Sequence, residues 1–147
     1  MISEGEIQNM NSSHIKHLEF IQTIITRMNK NSFQIKGWSV TIVSAFLALY
    51  ANSNNTNFLF VAIVPTIIFW MLDSYYLQKE RKYRGLYNDV ANINSRDEQN
   101  EIKNFELSTH MYSCNRYCYF SVLFSKTIIP LYGTMMAGLF IAGFILK

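Results

Sequence analysis

Residues 58–77 read FLFVAIVPTIIFWMLDSYYL, and the first 15 of them carry no charge. The one charge in the stretch, Asp73, comes near its end. At about 1.5 Å rise per residue, roughly 20 helical residues cross a hydrocarbon core of about 30 Å. A core strand is much shorter, and a buried helix of a soluble domain rarely stays apolar on every face for so long. The stretch therefore reads as a membrane span, and the remaining segments are read by their place relative to it.

A weaker apolar run, GWSVTIVSAFLALYA, precedes it at residues 37–51. With Lys36, whose stem can snorkel, and Asn52, it gives a first span over 36–52, with Trp38 as an interfacial anchor. The turn NSNNTN, residues 52–57, is uncharged. After the second span the helical pattern continues: Tyr83, Leu86, Tyr87, Val90 and Ile93 form a stripe that extends the helix to about residue 93. Pro65 inside this helix frees the carbonyl of Val61, for which Thr66 or a neighbouring helix is a candidate compensator.

Upstream, Leu18, Ile21, Ile25 and Met28 repeat at helical spacing, so residues 13–32 read as an amphipathic helix outside the bilayer. The pattern weakens over Asn29–Ser32. Residues 94–110 form a polar connection, with Ser95 and Glu98 as a possible capping box. Residues 111–127, rich in Tyr and Phe, suit an interfacial helix leading into a third span at 128–146. Gly133 and Ala137, then Gly138 and Ala142, sit four apart there, the spacing that lets helices approach closely in lipid. The expected fold is thus all-α, with three transmembrane helices and amphipathic cytoplasmic helices in one unit.

Charge sets the orientation. Lys30 and Lys36 flank the first span, Lys79, Arg81, Lys82 and Arg84 follow the second, and the loop between the spans has none. The positive-inside rule then puts the N-terminus and the middle segment in the cytoplasm and the C-terminus outside. Juxtamembrane Lys and Arg ordinarily serve as such signals and as contacts for membrane lipids. A net charge of +3 gives no reason to expect nucleic acid as a partner. The N-terminal residues lack a basic region followed by an apolar one, so no cleaved signal is expected.

Three constellations invite chemistry. His110, Cys114 and Cys118 share a face if their stretch is helical, but a helix spreads them over about 12 Å, too far for one ion. His14 and His17 are spaced i, i+3, unlike the i, i+4 pair of a zinc protease helix, and read as polar-face residues. No phosphate loop, nucleophile elbow or other catalytic set is present, so neither enzyme activity nor a cofactor is expected. Asp73 is the most informative single residue. It either marks the interface or lies deeper and needs a partner, for which Arg27, Lys36 and the hydroxyls of Tyr75 and Tyr76 are candidates.

Two blocks carry a resemblance: HLEFIQTIITRMNKNSFQIKGW at 17–38 and FWMLDSYYLQKERKYRGLYNDV at 69–90. Together they cover about a third of the chain and resemble a group of small bacterial inner-membrane proteins. More loosely, they resemble the accessory membrane protein of type VI-B CRISPR systems. The resemblance implies a ring-like homo-oligomer whose cytoplasmic helices assemble beneath the membrane, acting in phage defence or stress. It carries over Arg27, Asn31 and Lys36, and Asp73, Tyr76 and Arg84, as structural determinants. No R-x4–6-H motif is present to support RNA cleavage. Two functions follow: a pore-like or membrane-perturbing effector, or a non-conducting scaffold subunit beside a neighbouring defence-system protein.

Overall fold

The computed structural model describes residues 4–91, 107–109, 112 and 117–145. Four helices are present among them: α1 (Glu4–Ser53), α2 (Asn57–Val90), α3 (Tyr119–Leu123) and α4 (Ile129–Ile145). The described residues contain no strand.

Segments 13–32 and 36–52, expected as separate helices, are one rod of 50 residues. Nothing from Met28 to Phe33 is Pro or Gly. Asn29 and Lys30 face solvent, while Ser32 turns inward, so the polar run interrupts the apolar pattern without breaking the helix. At Asn54 the backbone turns through φ 52°, a left-handed conformation that Asn tolerates better than most residues. Its N–H donates to the Tyr50 carbonyl at 2.8 Å, and Asn55 Oδ1 accepts from the Asn57 N–H at 3.0 Å. The chain then returns antiparallel along α1 as α2.

Helix α2 passes through Pro65 and ends at Val90, short of the expected residue 93. Thr66 donates to the Ala62 carbonyl at 2.7 Å, so its hydroxyl serves the carbonyl next to the one that Pro65 frees. Both long helices are apolar and long enough to cross a membrane by length and composition, and α4 is a shorter apolar helix. Only 22% and 28% of the apolar windows of α1 and α2 are buried, against the mostly buried core helix of a soluble protein. Phe60, Val64, Ile68 and Met71 on α2, and Phe140 and Phe144 on α4, are exposed.

The hairpin is zipped along its length. Near the turn, Val43 and Tyr50 pack with Leu59, Ala62 and Leu139. At the far end, Ile21 and Ile25 pack with Leu86, Val90 and Tyr112, flanked by Leu18, Tyr83 and Tyr87. This corrects the expectation, drawn from the amphipathic patterns alone, that the two stripes have no core of their own and are buried by self-association. The stripes of residues 13–32 and 83–90 are covered by each other within one chain, so they do not require a second copy. His17, read as a polar-face residue, is 1% exposed.

Among the described residues of the helix expected over 111–127, α-helix is confined to α3. Tyr112 is non-helical and Cys118 is extended (φ −68°, ψ 137°). His110, Cys114, Ile93 and the connection over 94–106, with its Ser95–Glu98 capping box, lie outside the described residues. What replaces the long helix is a chain segment pinned to α2. Tyr112 Oη donates to Asp89 Oδ2 at 2.5 Å and Gln78 Nε2 donates to the Tyr117 carbonyl at 2.8 Å. Gly85 makes this approach possible. A Cβ there would meet Tyr117 Oη at 2.8 Å and the Tyr112 ring at 2.9 Å.

Candidate functional site

Ser32, Lys36 and Ser39 are spaced four and three apart, so one face of α1 presents all three. The antiparallel register sets this face against Asp73 of α2, and α4 closes the third side with Tyr132. Lys36 Nζ lies 2.7 Å from Asp73 Oδ1, and Ser32 Oγ donates to the same oxygen at 2.5 Å. Lys36 Nζ also donates to Ser32 Oγ at 2.7 Å, closing a triangle of ammonium, hydroxyl and carboxylate. Ser39 Oγ donates to the Lys36 carbonyl at 2.9 Å and faces Met135 Sδ. The Tyr132 hydroxyl donates to the Phe69 carbonyl at 3.3 Å and faces both Asp73 and Ser39.

Burial makes this set consequential. Asp73, Ser39 and Tyr132 are fully buried, whereas the Lys36 side chain keeps 23% of its surface. Asp73 Oδ2 has no hydrogen-bond partner. A buried carboxylate stays charged only with a close counter-ion and donors, and here one lysine and one serine supply both on a single oxygen. Trp70 braces the junction. Its ring stacks on Tyr132 (centroids 6.3 Å, 9°) and meets Phe124 edge-on, while Nε1 donates to the Leu123 carbonyl at 3.1 Å. The arrangement ties three helices at one height, about 25 Å below the hairpin turn at 1.5 Å per residue.

Of the partners that the sequence offered for Asp73, only Lys36 meets it. Arg27 is exposed and lies further along α1. Tyr76 packs edge-on against Tyr75 and makes no bond to Asp73. Arg84 pairs with Glu80 at 2.8 Å, about three helical turns from Asp73. Gly133, Ala137 and Gly138 are exposed on α4. Ala142 packs against the Val43–Leu59 cluster. Ser32 and Tyr132 were missed. The spacing of Ser32 before Lys36 was legible, but the position of Tyr132 depends on how α4 docks. Among the described residues no group of three His, Cys, Asp or Glu side chains could hold a metal ion.

Comparison with protein-family models, with curated proteins and with solved structures finds no match.

Proposed function

We propose that the chain is a homo-oligomeric protein of the bacterial inner membrane, with three spans, a cytoplasmic N-terminus and an outer C-terminus. The resemblance of residues 17–38 and 69–90 makes phage defence or stress response its setting, as a pore-like or membrane-perturbing effector. The observation that carries self-association is the distribution of small residues. Gly37, Thr41, Ser44 and Ala48 recur every three to four residues along α1, and every one is exposed; Gly133 and Ala137 repeat this on α4. Bulky side chains cover most of the other outward positions. Small residues let backbones approach closely where lipid supplies no hydrophobic drive, so these faces suit helix packing between copies. Light scattering on the protein in mild detergent tests it. Several protomers per particle are expected, and Ser44→Leu with Ala137→Leu should shift the mass toward one. A strictly monomeric wild type at micromolar concentration would end the proposal.

A second reading, a non-conducting scaffold beside a neighbouring defence-system protein, has its own supporting observation. Several polar groups of the spans turn inward: Ser39, Thr66, Asp73 and Ser74 are buried. The exposed hydroxyls of Thr41 and Thr134 donate to their own helix at Gly37 and Pro130. A membrane-potential dye separates the two, since only the pore-like form depolarises expressing cells.

A further inference from the structure

The height of the Lys36–Asp73 pair organises the outer surface of the protein as well as its interior. Two residues along α1 stands Trp38, three the other way Phe33, and two along α2 Tyr75; they are 57%, 77% and 46% exposed. At 1.5 Å per residue all three lie within about 5 Å of the pair's level. Helix α3 joins them. Its segment is fixed to α2 between Trp70 and Gln78, with Tyr119 Oη donating to the Met71 carbonyl at 2.9 Å. Phe120 and Phe124, one helical turn apart, are 69% and 62% exposed there.

Directly beneath this aromatic collar comes charge. Six residues from the pair along each helix stand Lys30 and Lys79, and nine residues along stand Arg27 and Lys82. These positions fall about 9 and 14 Å below the pair. Residues 27–36, 73–84 and 117–126 together hold eight Lys and Arg against two acids. Both acids are engaged, Asp73 by Lys36 and Glu80 by Arg84. Lys79 does not extend away from the span. Its Nζ sits 5.5 Å from the centroid of the Tyr75 ring, one turn nearer the collar, so the ammonium is held up toward the aromatic level.

We infer that this collar is a binding surface for anionic phospholipid headgroups of the inner leaflet. The inference rests on the membrane reading above and adds a lipid class to it. Exposed aromatic rings at one height suit the headgroup–hydrocarbon boundary. Headgroups occupy about 5–8 Å beyond each face of the hydrocarbon core, within reach of lysine and arginine side chains rooted just below. The net positive charge at that depth complements a phosphodiester without a neutralising amine.

The test uses the whole protein in phosphatidylcholine vesicles in which about a fifth of the lipid is brominated, either phosphatidylglycerol or phosphatidylcholine. Bromine quenches tryptophan on contact, and Trp38 stands in the collar. Brominated phosphatidylglycerol is expected to act as though enriched about five-fold around the protein, the ratio that about 1 kcal/mol produces. The triple variant Lys30→Gln, Lys79→Gln, Lys82→Gln, which halves the net charge of this layer, should clearly reduce the preference. Equal quenching in the wild type, or a preference undiminished in the triple variant, would overturn the inference. Quenching by neither lipid would overturn the membrane reading with it, and is distinguishable for that reason.

Discussion

Lys36→Met is expected to lower the unfolding free energy by about 3–5 kcal/mol, the cost of leaving a buried charge without its partner. Asp73 has no exposed surface, its second oxygen already lacks a donor, and the Tyr132 hydroxyl beside it is neutral and donates to the Phe69 carbonyl, so no second cation replaces the lysine. Asp73→Ala should cost less, since the Lys36 side chain retains 23% of its surface and can move its ammonium toward water. Asp73→Asn should be milder again, because an amide oxygen still accepts from Ser32. Replacing both members, Lys36→Met with Asp73→Leu, is expected to recover most of the loss, since the desolvation penalty disappears with the charges. Chemical unfolding in detergent measures all four, and a Lys36→Met variant no weaker than Asp73→Ala would contradict the assignment. Full burial also takes Asp73 off any aqueous path through the protomer, so its effects on assembly and on depolarisation should rise and fall together.

The second large effect belongs to the other end of the hairpin. Leu86→Ala should destabilise the protein by about 2–5 kcal/mol, the range for emptying a buried leucine site. Leu86 is 2% exposed and packs with Ile21, Ile25, Val90 and Tyr112. Hydrogen exchange should accelerate over residues 17–25 and 83–90 and change little beyond the Lys36–Asp73 tie toward the turn. Were these stripes instead covered by another copy, Leu86→Ala would dissociate the assembly and leave exchange in the isolated protomer unaltered.

The helical content and the position of the apolar segments were legible in the sequence, because an uncharged run such as 58–72 has few alternatives. Asp73 was legible as either an interfacial marker or a deeper group needing a partner, and Lys36 as one of several that could reach it, from their shared height at the ends of two spans. Three things were hidden. Helix continuity through Asn29–Ser32 was obscured because Ser32 reads as a polar interruption, yet it is an inward-facing ligand of Asp73. The docking of Tyr112 and Tyr117 on α2 was obscured because it depends on Gly85. A lone glycine in a helical pattern signals weaker helix propensity, and nothing local to it reveals that two tyrosines from a distant segment occupy its missing Cβ. The mutual cover of the two amphipathic stripes was missed for a related reason. Periodicity shows that a face is apolar and leaves its partner unnamed.

On the proposed membrane reading, the α1–α2 hairpin crosses the membrane at its turn end and continues into the cytoplasm at the other. Labelling of Asn55→Cys, in a chain whose Cys114 and Cys118 are replaced by Ser, with a membrane-impermeant maleimide tests it most directly. Asn55 is exposed at the turn, so it should react from outside in intact spheroplasts. Protection of Asn55→Cys until the membrane is permeabilised would contradict the account.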